Sequence, residues 1–187
     1  LETIKALALL IHVFSQFKGS SIPGFDIDTV WHHSMNVGLY ARQIAKAEGF
    51  ADKETGNAFM AGLLHDIGKL IFAENFKDTY CRAMELAQNR QMPAIEAEYE
   101  TIGISHPMAG GYLLSLWGLP DSITESLAYH HDPHKLGSIQ LCPLIIVFAA
   151  NGIEHFISGC LAKRDPESLF EKEVLELATQ FMPQVPR

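Results

Sequence analysis

Apolar residues return at spacings of three and four along almost the whole of this chain and hardly ever alternate, so helices packed on helices are the architecture open to it. The only strand-like run, Leu144 to Val147, lies inside a helical pattern. The spacing predicts a helix over about Glu2 to Phe17, carrying Ile4, Leu7, Leu10, Ile11 and Phe14 and stopped by Gly19, then a loop from Ser20 to Phe25. A second helix begins near Asp26 or Asp28 and bears Val30, His33, Val37, Tyr40, Ala41 and Ile44 on one face before ending at Gly49. A third, capped by Asp52, carries the small-residue face Ala58, Ala61, Gly62, Leu64 and His65, which invites close approach by another helix, and runs to about Ile67 and Gly68. Further helices are expected at Phe76 to Asn89, Ala94 to Ile102, Ser105 to Trp117, Asp121 to Tyr129, Ile139 to Phe156 and Pro166 to Met182. With no repeat, low-complexity tract or long linker, the expectation is one all-α, compact multi-helix bundle.

Composition narrows the function. Fourteen basic residues against 22 acidic ones give a formal net charge of −8, a field that repels polyanions, so nucleic acid is not an expected partner. The longest uncharged apolar run, Leu141 to Ala150, has ten residues, short of the roughly 20 that a spanning helix needs. No membrane association is expected, and with no export signal at the N-terminus the expected location is cytoplasmic. Cys81, Cys142 and Cys160 lack any metal or disulfide spacing and read as reduced thiols. The chain starts at Leu1, inside an apolar-periodic run, which suggests a polypeptide extending upstream.

Of the nine histidines, five, together with one aspartate, fall at the ends or inner faces of predicted helices: His33, the pair His65-Asp66, His106, and the pair His130-His131. Neutral imidazole and carboxylate are the donor mix for a borderline or hard divalent ion, and one carboxylate can bridge two ions. Gly68 is expected to give the backbone freedom that lets His65 and Asp66 converge. Lys69, three residues after Asp66, is expected to face the same pocket and contact a phosphate oxygen, as in phosphohydrolase chemistry. His12, His134 and His155 read as structural or surface residues, His32 points away from His33, and Trp31 and Trp117 are expected in the core.

The stretch Ala61-Gly62-Leu63-Leu64 followed by His65-Asp66-Ile67-Gly68-Lys69 resembles the signature of the HD superfamily of metal-dependent phosphohydrolases. Three further stretches narrow the resemblance to the HDOD domain, the HD-related output domain of bacterial signalling proteins: Trp31-His32-His33-Ser34, His106-Pro107 through Gly110-Gly111 to Leu114, and Trp117-Gly118-Leu119-Pro120 with Tyr129-His130-His131-Asp132-Pro133. The resemblance implies an HD-type helical domain over residues 1–187 with its HD core at about 26–157 and the usual upstream helical half missing. By the same resemblance, His33, His65, Asp66, His106, His130 and His131 are the expected ligands of one or two divalent ions, whether iron, manganese, nickel, zinc or magnesium, with Asp66 and Lys69 as catalytic candidates. The final aspartate of the HD pattern is matched by Asn151, and the Gly-Tyr-Pro segment of the cyclic-di-GMP enzymes is replaced by Asp132-Pro133-His134-Lys135-Leu136-Gly137. The implied function is a signal-transduction output module with little or no catalysis, working with protein partners or a fused input domain such as a receiver. The competing reading is a metal-dependent phosphohydrolase acting on a nucleotide or another phosphoester, and a third is a sensor that binds a nucleotide without cleaving it.

Overall fold

A computed structural model describes residues 22, 24–136 and 142–161. These form eight α-helices and one 3-10 turn, with no β-strand among the described residues. They are α1 (Ile27–Ala47), α2 (Asp52–Leu64), α3 (Ile67–Asn75), α4 (Lys77–Arg90), α5 (Ala94–Ile102), α6 (His106–Leu116), α7 (Asp121–Tyr129), the 3-10 turn Pro133–Leu136, and α8 (Pro143–Leu161). The all-α expectation holds. The helices expected at Glu2 to Phe17 and Pro166 to Met182 lie outside the described residues.

Local chemistry sets most boundaries. Asp26 caps α1 by accepting a hydrogen bond from the Thr29 backbone N–H at 2.9 Å, and Gly49 turns the chain away with φ +76°. At the start of α2 the expected cap, Asp52, is instead the first helical residue, and Glu54 reaches back to accept from the Ala51 N–H at 3.3 Å. Helix α3 departs from the sequence reading altogether. The pattern was continuous through Gly68, but α2 ends at Leu64, the backbone bends at Asp66 (φ −98°, ψ 10°), and a new helix starts at Ile67. No Pro, Gly or Ser/Thr cap marks that junction, which is why periodicity alone runs across it.

Two buried clusters hold the helices. The larger gathers Val37, Ala41 and Ala45 of α1, Ala58 to Leu64 of α2, Leu114, Ile123 and Leu127, and Ile146, Val147 and Ala150 of α8. The small-residue face of α2 does allow close approach: a Cβ on Gly62 would sit 2.8 Å from the Gly38 Cα, so α1 and α2 touch backbone to backbone. The second cluster, Ile22, Phe72, Ala73, Tyr80, Ala83 and Ala97, docks the α4–α5 hairpin onto α3. Trp31 packs against the first cluster as expected, but Trp117 is 47% exposed, because α6 ends at Leu116 and the turn at Gly118 carries the ring outward. Among the described residues, no helix is long and apolar enough to cross a membrane.

Candidate metal centre

The bend at Asp66 sits where α1, α6 and α7 converge, and all six residues singled out in the sequence meet there. Asp66 is 2% exposed, and His65, His106 and His130 are buried with it. Its Oδ2 lies 3.4 Å from His65 Nε2 and 3.8 Å from His33 Nε2, while its Oδ1 lies 3.2 Å from His106 Nε2 and 3.8 Å from His130 Nε2. His131 closes the second group, its Nε2 3.3 Å from His106 Nε2. The side chains thus fall into two sets, His33 with His65 and Asp66, and His106 with His130 and His131, and the two oxygens of Asp66 face one set each.

Hydrogen bonds fix the rings. His65 Nδ1 lies 2.8 Å from the Gly62 carbonyl and His130 Nδ1 lies 2.7 Å from the Leu127 carbonyl. A carbonyl only accepts, so in both rings Nδ1 carries the proton and the Nε2 lone pair of the neutral ring points into the cluster. His106 is held the same way by a carboxylate the sequence reading missed: Glu98 of α5, fully buried, accepts from both the backbone N–H (2.8 Å) and the Nδ1–H (2.7 Å) of His106. The first bond also satisfies one of the free N–H groups at the start of α6.

The centre invites a cation on three counts. Asp66 Oδ1 and His130 Nε2 are buried without a hydrogen-bond partner among the described residues, a deficit of about 1–3 kcal/mol for each group. Bonds of 2.0–2.2 Å to one ion place neighbouring donors roughly 3–3.5 Å apart, close to the Asp66–imidazole separations given above. The donor set is neutral nitrogen plus one carboxylate. His33, His65 and Asp66 on one side, and His106, His130 and His131 on the other, could therefore hold a metal ion.

Burial alone would raise the Asp66 carboxyl, but His65 and the Lys69 ammonium beside it hold it well below the usual carboxylate range. Burial pushes His33 and His131 down to about 3, with His65 and His106 respectively adding to the effect, and it carries His130 well below an ordinary imidazole. His106 moves the other way: burial opposes its charge, but Asp66 and Glu98 outweigh it and raise the pKa. The unfolded chain therefore takes up the protons of His33, His130 and His131 first as the pH falls. For His33 and His131, stability present above about pH 6.5 is lost on the way to about pH 3; His130 adds to the loss in the same direction, and His106 offsets part of it. The metal-free protein is accordingly expected to melt at a lower temperature at about pH 5 than at about pH 7; calorimetry showing no such drop would contradict neutral imidazoles.

One expectation needs correction. Gly68 is not a flexible hinge: it sits within α3 without a positive φ, and a Cβ there would lie 2.0 Å from the His106 carbonyl oxygen, so its role is to let the start of α6 approach. Lys69 faces the centre as expected, and its ammonium pairs with Asp66 Oδ2 at 2.6 Å. Asn151 is buried on α8, on the face that one turn later bears Glu154, which accepts from Asn36 of α1 at 3.2 Å, and His155, whose exposed ring lies 4.9 Å from that of His33. His32 and His134 are exposed, as expected.

The sequence profile of the HDOD domain matches residues 1–133. The chain belongs to the HDOD family. A curated relative, an uncharacterized protein of Treponema pallidum (strain Nichols), is 26% identical over 132 residues, which are 70% of this chain and 25% of the relative. The chain thus spans about a quarter of the length of the curated protein it matches. An HDOD domain protein of unknown function from Geobacter sulfurreducens superposes with a TM-score of 0.75 at 23% identity, over 99% of this chain and 61% of that one. A protein provisionally described as a phosphohydrolase from Shewanella amazonensis SB2B gives 0.69 at 17% identity, over 97% and 70%. One provisionally assigned to signal transduction from Marinobacter aquaeolei VT8 gives 0.60 at 19%, over 97% and 43%. At these identities the structural likenesses speak to the HDOD fold alone.

Proposed function

We propose that this HDOD domain is an output module of a signalling protein, acting on protein partners or a fused input domain, whose centre holds one or two divalent ions and turns over little or no substrate. The observation that carries the reading is Asp66, buried, with one oxygen facing each of two imidazole groups whose Nε2 atoms converge on it. When bound, the ion supplies Lewis-acid polarisation of a phosphoryl oxygen, or a fixed charge for an anionic ligand to recognise. The chain's own residues favour the second use. Lys69, the cation best placed to stabilise charge developing on a phosphate, is paired with Asp66. Asn151 contributes an amide where the HD pattern has a carboxylate, and His130-His131 run into the turn Pro133–Leu136 in place of the substrate-side segment of the cyclic-di-GMP enzymes.

A metal-dependent phosphohydrolase is the second reading, supported by the partial exposure of His33, Lys69 and His131, which leaves the centre reachable from solvent. In that case Asp66 orients the reacting groups and Lys69 leaves it for the phosphate. Purified protein loaded with manganese or iron and offered cyclic dinucleotides, nucleotides and simple phosphoesters is expected to show at most trace hydrolysis. Enzyme-like turnover of any of them, on the order of 1 s⁻¹ or more, would replace the signalling reading with the hydrolytic one. A nucleotide that raises the melting temperature without being cleaved would point instead to a sensor.

A further inference from the structure

We infer that Glu98 is a positioning residue for the metal centre, presetting His106 to offer Nε2 to an ion before any ion arrives. The inference rests on the metal-centre reading above and assigns a role to a residue that lies outside both donor groups. Glu98 is fully buried, and a buried carboxylate is tolerated only when well paired. The side-chain hydrogen bonds of Glu98 among the described residues all go to His106: one from the backbone N–H at 2.8 Å, and one from Nδ1, which lies 2.7 Å from one oxygen and 3.0 Å from the other.

This pairing has a chemical consequence at the opposite edge of the ring. An ionised carboxylate accepts and never donates, so it selects the Nδ1–H form of a neutral His106 and leaves the lone pair on Nε2. Nε2 lies 3.2 Å from Asp66 Oδ1 and 3.3 Å from His131 Nε2, so the preset lone pair faces another acceptor across a gap that a cation fits. The other two buried rings, His65 and His130, are held by carbonyls within one turn of their own helices, whereas His106 alone of the three is held by a charged group from a different helix. A carboxylate behind an imidazole raises its basicity as well as fixing its orientation, and the loss of such a partner typically weakens metal affinity 10–100-fold.

The test is titration of the native protein, Glu98→Ala and Glu98→Gln with Mn²⁺ alone, repeated in a His33→Ala background where the His106 group is the one left intact. In that background Glu98→Ala is expected to weaken Mn²⁺ binding about 10–100-fold. Glu98→Gln, whose amide oxygen still accepts from Nδ1–H, should recover most of the loss. The second readout needs no variant: nitrogen NMR of the native protein with Zn²⁺ should show His106 protonated at Nδ1. Equal affinities in folded Glu98→Ala and native protein, or a proton on Nε2 of His106 in the Zn²⁺ form, would overturn the role of Glu98 while leaving the centre standing. Failure of the native protein to take up either ion would bring down the metal-centre reading and this inference with it.

Discussion

Asp66→Ala is expected to abolish metal uptake at the His33 group and to weaken it by at least about 100-fold at the His106 group, beyond the usual effect of losing a supporting residue. The carboxylate is the one anionic side chain among the six donors, and its two oxygens face different groups at 3.4 Å and 3.2 Å. Without it the first group is reduced to two imidazoles, and the second keeps His106, His130 and His131 but no charge to neutralise a divalent ion. Lys69 makes matters worse. Its ammonium, now held 2.6 Å from Asp66 Oδ2, would remain beside the centre without its counter-charge and repel an incoming cation. Elemental analysis after purification and Mn²⁺ titration, with circular dichroism to confirm folding, would measure this; a variant retaining the native metal stoichiometry would rule out the centre as described.

What could be read ahead in the sequence was which six side chains gather, because imidazoles beside helix ends have few structural uses and His65-Asp66 and His130-His131 stand out as pairs. What supports them was harder to read. Glu98 lies between Glu96 and Glu100 in a short acidic helix, and both neighbours are exposed. A lone glutamate in such a run reads as part of a solvated face. No sequence signal marked it: Ser105 is a favoured N-cap by residue type, and only the structure shows that it makes no side-chain cap hydrogen bond and that the free N–H groups of α6 take an acceptor from elsewhere. Lys69 was placed correctly on the Asp66 side by its three-residue spacing, but spacing cannot say whether an ammonium waits for a phosphate or pairs with the nearest carboxylate. Helix α3 was lost because the bend at Asp66 occurs without a breaker residue. A functional residue occupying the sparsely populated region between two helices leaves no trace in the hydrophobic period.

Gly68→Ala should be the most damaging single-methyl change near the centre, and its effect should reach the metal as well as the fold. The added Cβ would lie 2.0 Å from the His106 carbonyl oxygen, 2.7 Å from its carbonyl carbon and 2.9 Å from its Cα. All three are backbone atoms of the residue that opens α6, so no rotamer change relieves the overlap and the helix itself must retreat from α3. Gly110, one turn along α6, packs less tightly on the same seam, since a Cβ there would meet the Gly68 N at 3.2 Å. Overpacking of this kind typically costs about 1–3 kcal/mol. In a domain of this size that lowers the melting temperature by roughly 2–4 °C for each kcal/mol. Retreat of α6 also draws His106 away from Asp66 Oδ1, now 3.2 Å from its Nε2, so Mn²⁺ affinity should fall at the His106 group and hold at the His33 group, which α1 and the end of α2 supply. A Gly68→Ala protein that melts with the native one and binds Mn²⁺ equally would mean that α6 has room to move without cost. In that case the glycine of the His-Asp-Ile-Gly-Lys stretch would need an explanation other than the approach of His106.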